Sequence, residues 1–300
     1  MNYLALFTFT CIQISLYGQT LEGEVLDSSN KRGLSYANLS IKNKRIGVYT
    51  DENGKYNLDL SKISEEDTLI ISLVGYQKQK IALSQFVEEK PYTLNFQLIS
   101  KIETLKEILI LSKTKTYSST AFKISTGNKN QTFPFSVPYG NEVAVLIENP
   151  KNKKGRLLEL QLKFKNIKED KFKIYRTYYR IAFYKIDSLG FPGDLVHFKN
   201  IIIKPEIDLK NLKIDLQNKS IPFSKKGIFV AIETIKPEFV KLESKMYLTT
   251  PNILYTHTKN SIEYIRFHAN VWHKQSRKSP FKKKHFAVPY IKVKVNYEMD

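Results

Sequence analysis

The stretch Arg156-Leu-Leu-Glu-Leu-Gln-Leu-Lys-Phe-Lys165 decides the fold. Its apolar residues recur at every second position, so Leu158, Leu160, Leu162 and Phe164 share one face of an extended chain. A helix would need a repeat near 3.6 residues. A two-residue rhythm belongs to a half-buried strand, whose side chains point alternately to the two faces of a sheet. Lys163 and Lys165 fall on the opposite, outward face. The same rhythm marks 178–187, 195–204, 212–216, 227–234, 262–272 and 290–295, the last alternating Lys292 and Lys294 with Ile291, Val293 and Val295. About eight strands here predict a larger β-sandwich of jelly-roll type.

Moving towards the N-terminus, the rhythm persists in shorter segments. Leu21-Glu-Gly-Glu-Val-Leu26 reads as a strand, and Ala37-Asn-Leu-Ser-Ile-Lys42 puts Ala37, Leu39 and Ile41 on one face. Asp51-Glu-Asn-Gly54 separates the strand-like 47–50 and 55–60, and its Asn-Gly pair tolerates the positive φ of a hairpin turn. Asp67-Thr-Leu-Ile-Ile-Ser-Leu-Val74 reads as a buried strand that Gly75 breaks; 76–83 resumes it, and Thr93-Leu-Asn-Phe-Gln-Leu98 closes the set. About seven short strands predict a small β-sandwich of transthyretin or immunoglobulin type. The fold class is therefore all-β, a small N-terminal sandwich followed by a larger one.

Charge divides the chain in the same place. Residues 19–100 carry ten Lys/Arg and eleven Asp/Glu, whereas 101–300 carry 38 and 18, so the second part holds the whole excess of the net +19. Between them Lys113-Thr-Lys-Thr-Tyr-Ser-Ser-Thr120 is polar and without period, a linker by composition. The expected organisation is 1–18 signal peptide, 19–100 small sandwich, 101–120 linker with a short strand, and 121–300 basic sandwich. Residues 1–17 contain no Asp, Glu, Lys or Arg and are mostly apolar from Tyr3 to Leu16, about the length of a signal-peptide core. Gly18 offers a small residue for cleavage. The n-region has no Lys or Arg, and the alternative is a buried N-terminal strand or helix. Cys11, the one cysteine, lies inside the apolar run without a good lipoprotein box, so there is no disulfide framework. No later run of about 20 apolar residues exists, which argues against a multi-span helical membrane protein.

The order Gly23-Glu-Val, Leu34-Ser-Tyr-Ala-Asn-Leu-Ser-Ile41, Gly47-Val-Tyr-Thr-Asp-Glu-Asn-Gly54-Lys-Tyr56 and Asp67-Thr-Leu-Ile-Ile-Ser-Leu-Val-Gly75-Tyr76 resembles the carboxypeptidase-regulatory-like domain, a transthyretin-like sandwich. The resemblance covers about residues 19–100, and Leu105-Lys-Glu-Ile-Leu-Ile-Leu111 resembles the short strand that follows such domains. It implies an exported protein of Bacteroidetes type, TonB-dependent receptors included, with a structural or docking module. It does not imply peptidase activity, since the catalytic domain of that family is a separate unit. In the second part, the segments 180–187, 191–195, 212–216 and 226–233 are similar in pattern to galactose-binding-like or extracellular jelly-roll modules. No site residue follows from that likeness.

The chain lacks the spacing that familiar chemistry needs. No His has a Glu three residues later, so the carboxypeptidase zinc motif is missing. His268 and His273 are five apart, which on a strand sends them to opposite faces. There is no Gly-x-Ser-x-Gly, P-loop or Gly-x-Gly-x-x-Gly. Asp51, Asn53 and Gly54 fall short of a calcium loop and read as a turn. No cofactor or metal is expected, and no catalytic residue is assigned. A glycosidase needs only two facing carboxylates, and Glu159, Asp187, Asp194 and Glu233 are available.

The basic excess is lysine, 41 against seven arginines. One reading is a solvated sheet face encoded by an AT-rich genome, where lysine codons are abundant. The other is attraction to an anionic polymer or surface. The densest cluster sets Lys274, Arg277, Lys278, Lys282, Lys283 and Lys284 between Trp272 and His285, with Phe281 among them. Lysine lacks the bidentate geometry of arginine, and no nucleic-acid-binding pattern is present, so nucleic acid is not the expected partner. Envelope polysaccharide, lipopolysaccharide or a protein is. Tyr178, Tyr184 and Trp272 are candidates for stacking on a glycan. On strand 178–187, Tyr179, Ile181 and Phe183 form the core face and Tyr178, Arg180, Ala182 and Tyr184 the opposite one.

The expectation is an exported, non-enzymatic binding or scaffold protein of the cell envelope, located in the periplasm, at the outer membrane or outside. The N-terminal module docks, and the basic module binds an anionic or glycan partner. The alternatives are an envelope-polymer hydrolase, and a fragment or relative of a TonB-dependent receptor or transducer system.

Overall fold

The computed structural model describes residues 20–86, 92–101, 116–206 and 208–299. The predicted signal peptide with Cys11, the strand at 105–111 and most of the 101–120 linker lie outside the described residues. The protein is all-β.

The N-terminal part is built from two small sheets. In one, Thr20–Asp27 pairs antiparallel with Lys55–Asp59 and parallel with Tyr92–Thr93 and Phe96–Leu98. In the other, Gly47–Tyr49, Asn38–Ile41, Thr68–Ser72 and Gln79–Ala82 follow one another antiparallel. Leu21, Val25, Leu39, Ile41, Leu58, Leu69, Ile71 and Leu98 fill the space between them. The Asp51–Gly54 turn corrects the hairpin expectation. Its flanking strands belong to different sheets, so the turn is a corner of the sandwich. Asp51 Oδ1 accepts from the amides of Asn53 and Lys55, at 2.9 and 2.8 Å. Gly54 adopts φ +86°, and its carbonyl takes the Val25 amide at 2.8 Å.

The C-terminal part has two larger sheets. One runs Phe133–Pro134, Asn252–Thr258, Gly155–Lys165, Ile291–Tyr297, Phe122–Ser125. The other runs Pro192–Leu195, Tyr178–Ile186, Gly227–Ile235, Asn141–Glu148, Glu263–Phe267, His273–Gln275. Their facing sides share one core that includes Val145, Leu160, Phe183, Val230 and Val293. A register shift between Leu157 and Glu159 changes the expected face of the opening segment: Leu157 is buried with Leu160, Leu162 and Phe164, while Leu158 is half-buried. A bulge adds one residue to a strand and resets which side chains point inward. The segment 195–204 is not one strand but two short ones, Pro192–Leu195 and Ile201–Ile203. Strand 262–272 likewise stops at Phe267, because His268 turns the chain with φ +48°. The strands are more numerous than expected, and Asn141–Glu148 at the middle of its sheet is the main addition.

The outer face of the second sheet is not exposed to solvent. The N-terminal module sits on it, and Val74 packs with Ala144, Ala182, Tyr184, Phe229, Ala231 and Tyr264. Asn38–Ile41 is consequently buried on both faces: Leu39 and Ile41 turn into their own sandwich, while Asn38 and Ser40 turn the other way.

Candidate functional site

Residues 264–297 contain no aspartate or glutamate, and they carry the predicted basic cluster. Strand Glu263–Phe267 pairs with His273–Gln275, after which 276–285 forms a loop before Phe286–Pro289 joins the other sheet. Several hydrogen bonds hold this loop. Ser279 Oγ accepts from the amides of Phe281 and Lys282, at 3.2 and 2.9 Å. The Ser279 amide donates to the His285 carbonyl at 2.9 Å, and that of Ala287 to Arg277 at 2.9 Å. Ser279 Oγ also lies 2.9 Å from His257 Nδ1, and burial keeps the His257 imidazole below its usual range. On this frame Lys274, Lys278, Lys282, Lys283 and Lys284 are exposed. Phe281 is 74% exposed, its ring edge-on to Phe133 at 5.2 Å.

Arg277 is placed differently from the lysines around it. It is half-buried, its guanidinium 4.1 Å above the Phe135 ring and 3.6 Å from Glu263 Oε1. Neither Glu263 oxygen, nor Arg277 Nε, nor the Tyr255 hydroxyl has a hydrogen-bond partner among the described residues. Burial raises the Glu263 carboxyl to about 7, against the pull of Arg277. Arg277 therefore anchors the loop from beneath, and the exposed cationic side chains of the cluster are the lysines.

The second concentration of charge is the seam between the modules. Arg180 Nη1 donates to Glu233 Oε2 at 2.6 Å, with both side chains 2% exposed. Arg180 Nε reaches Asn200 Oδ1 at 2.9 Å, and Nη2 donates to the Tyr36 carbonyl of the other module. Glu233 Oε1 accepts from Tyr49 Oη at 2.9 Å and Asn38 Nδ2 at 3.1 Å. Asn38 Oδ1 then faces His268 Nδ1 at 2.6 Å, which requires the imidazole proton to sit on Nδ1. Burial lowers His268 to about 4, so the ring is neutral. Gly47 and Gly140 flank the ring, and a Cβ on either would come within 2.8 and 2.7 Å of it. Beside this group Arg266 binds Glu142 Oε2 through Nε at 2.7 Å and the Tyr184 hydroxyl through Nη2 at 2.7 Å. Tyr184 Oη donates to Glu142 Oε1 at 2.8 Å. Burial, with the Glu233 charge, raises the Glu142 carboxyl. Burial opposes ionisation of Glu233 too, but Arg180 and Tyr49 bring that group below its usual value.

The glycan-stacking candidates separate accordingly. Tyr184 is 4% exposed, with Trp272 edge-on at 5.6 Å and Arg266 over the Trp272 ring at 4.2 Å. The outward strip of strand Tyr178–Ile186 is covered by the N-terminal module rather than by a sugar. Tyr178 lies at the rim, between Tyr36 and Phe239.

The cavity at the seam has a volume of about 180 Å³. That is below the ~300–1,000 Å³ of an organic-ligand pocket. Glu142 and Glu233 line it, but each is held by an arginine and a tyrosine. Of the carboxylates considered for hydrolysis, Asp194 and Glu233 both border this cavity, but the Arg180 and Tyr49 contacts occupy Glu233. Glu159 pairs with Lys294 at 2.8 Å, Asp187 caps the turn at Leu189 and Phe191, and Asp194 is exposed near Lys185. A groove of about 700 Å³ elsewhere is lined by Glu22, Glu24, Asp51 and Glu238 against Lys55 and Lys236, opposite in sign to the basic loop.

Arginine is the signal that finds the seam. Six of the seven arginines make specific contacts with rings, carboxylates or carbonyls: Arg45 on Phe267, Arg156 on Tyr117, Arg176 to Pro205, Arg180, Arg266 and Arg277. In a chain that uses lysine for surface charge, an arginine inside an apolar strand marks a planar, paired contact.

Residues 21–110 match the family of CarboxypepD_reg-like domains, so this part of the chain is a carboxypeptidase-regulatory-like domain. No curated protein matches the chain. Among solved structures it is similar to a Bacteroides fragilis protein of unknown function, at 8% identity and TM-score 0.21, over 93% of this chain and 97% of that one. It is also similar to the major pilin subunit of Bacillus cereus, BcpA, at 12% identity and TM-score 0.19, over 90% and 68%. A third similarity is to infectious bursal disease virus, strain Gx, at 10% identity and TM-score 0.22, over 92% and 60%. Similarities this low carry no argument about function. Among the described residues, no helix is long and apolar enough to cross a membrane.

Proposed function

We propose that the protein is an exported, non-enzymatic binding protein of the cell envelope. Its basic loop engages an anionic partner, and its carboxypeptidase-regulatory-like domain is fixed to the binding module as one body. The observation that carries this reading is the segment 274–284, the end of strand His273–Gln275 and the loop after it. Five lysines are exposed on a hydrogen-bonded frame, in a stretch of chain free of carboxylates. Neighbouring ammonium groups raise the local potential and draw polyanions. The seam supports the scaffold half of the reading, because buried paired charges and an apolar contact tie the modules together.

The test is retention of the full chain on immobilised dextran sulfate. Retention is expected to fall steeply as salt approaches several hundred millimolar, where the Debye length shrinks to a few ångströms. The triple variant K282A/K283A/K284A should elute at clearly lower salt. Retention that ignores salt, or a triple variant that elutes with the parent, overturns the assignment.

A further inference from the structure

We propose that the anionic partner of the basic loop is a lipid surface, with Phe281 as the apolar group that enters it; this rests on the anionic-partner reading above. Phe281 sits between Pro280 and three consecutive lysines and is 74% exposed. A soluble polyanion would use the lysines and leave this ring in water. A bilayer surface uses both, since lysines near anionic headgroups each strengthen binding about five-fold, and an aromatic ring beside them is buried at the headgroup boundary.

The loop geometry suits this use. Ser279 Oγ caps the amides of Phe281 and Lys282, and the His285 amide donates to the Lys282 carbonyl at 3.3 Å, so the tip is folded before any surface arrives. Phe133 and His257 support the Phe281 ring from one side, at 5.2 and 6.4 Å. Beneath it Arg277 is fixed over Phe135 beside Glu263. A preformed tip binds without the cost of ordering a loop. No carboxylate occurs between Glu263 and Glu298, so no acidic residue of this segment opposes an anionic leaflet.

The experiment compares two supports for the same full-length protein: vesicles of phosphatidylcholine containing about a third phosphatidylglycerol, and immobilised dextran sulfate. The parent should sediment with the anionic vesicles and not with pure phosphatidylcholine. F281S should reduce the partition coefficient roughly ten-fold, with unchanged elution from dextran sulfate and an unchanged circular dichroism spectrum. K282A/K283A/K284A should weaken both. If F281S partitions like the parent, or the parent binds dextran sulfate but not anionic vesicles, the lipid assignment is wrong and the polyanion reading stands. If the parent is not retained on dextran sulfate, the reading beneath it fails as well.

Discussion

Arg180 and Glu233 face each other across neighbouring strands, and their pair is half of a longer row. Glu233 is in register with Glu142 on the next strand, and Glu142 with Arg266 on the one after. The sheet thus carries Arg–Glu–Glu–Arg straight across four strands, neutral in sum, beneath the N-terminal module. Two places along each strand from that row lies Ala182–Ala231–Ala144–Tyr264. The charged row needs partners from both modules, and the alanine row leaves room for Val74 to approach.

Removing one member of the row should be costly. R180M leaves the Glu233 carboxylate buried without its cation and is expected to lower unfolding free energy by about 3–5 kcal/mol. R180M/E233M should recover a good part of that loss, because no buried charge is then orphaned. Urea unfolding of the three proteins measures it. An R180M midpoint equal to the parent's would mean that the pair is not buried in solution.

The alanine row makes the opposite kind of prediction. Ala231 is fully buried. A231L would overfill the contact with Val74, for an expected loss of about 1–3 kcal/mol. The added bulk bears on the seam, so limited proteolysis should cut between the modules sooner in A231L than in the parent. Equal cleavage rates would show that the modules do not rest on this row.

The Gly75-Tyr76 pair of the regulatory-like domain has two separable roles. Gly75 adopts φ +89°, and a Cβ there would lie 2.0 Å from the Phe198 carbonyl oxygen of the other module. The Tyr76 hydroxyl donates to Asp27 Oδ2 at 2.7 Å. Asp27 also takes the Ser29 hydroxyl and amide, and these bonds together hold its carboxyl down at about 2 despite the cost of burial. G75A should cost about 2 kcal/mol or more, through left-handed strain and displacement of the neighbouring backbone. Y76F should cost about 1.5–3 kcal/mol, as for a hydrogen bond to a charged group. In Y76F the Asp27 resonance should titrate at higher pH. An unchanged Asp27 titration would remove Tyr76 from this account.

Two buried groups set opposite trends with pH. Glu263 titrates at about 7 in the fold against an ordinary 4.5, so the native state holds the extra proton and stability falls as pH rises from about 4.5 to 7. His268 titrates at about 4 against 6.5, so the unfolded chain takes the proton first and stability falls as pH drops from about 6.5 to 4. E263Q isolates the first effect. Relative to the parent it should gain on the order of 2–3 kcal/mol between pH 4.5 and 7 and no more above that. Parallel curves of stability against pH for the two proteins would exclude a protonated Glu263.

Alternation reveals strands that have one wet face, which is why 291–295 and the core face of 178–186 were legible. It is silent on Asn141–Glu148, where Val143, Ala144, Val145 and Ile147 are all buried because one side meets the facing C-terminal sheet and the other the N-terminal module. It also misplaced Leu158, since a bulge cannot be seen in a run of leucines. The basic loop was visible as composition. Its frame was not, because it depends on Ser279 meeting His257, 22 residues away. The seam joins Asn38 to Glu233 and His268 across about two hundred positions, and only the arginines amid apolar neighbours hinted at it.

The neutral row has a practical consequence. Mobile ions compete with charges they can reach, and those between the modules are enclosed while the lysines of the loop are not. A salt wash strong enough to strip the loop of its partner should therefore release an intact molecule, with its two halves still joined and ready to rebind on dilution.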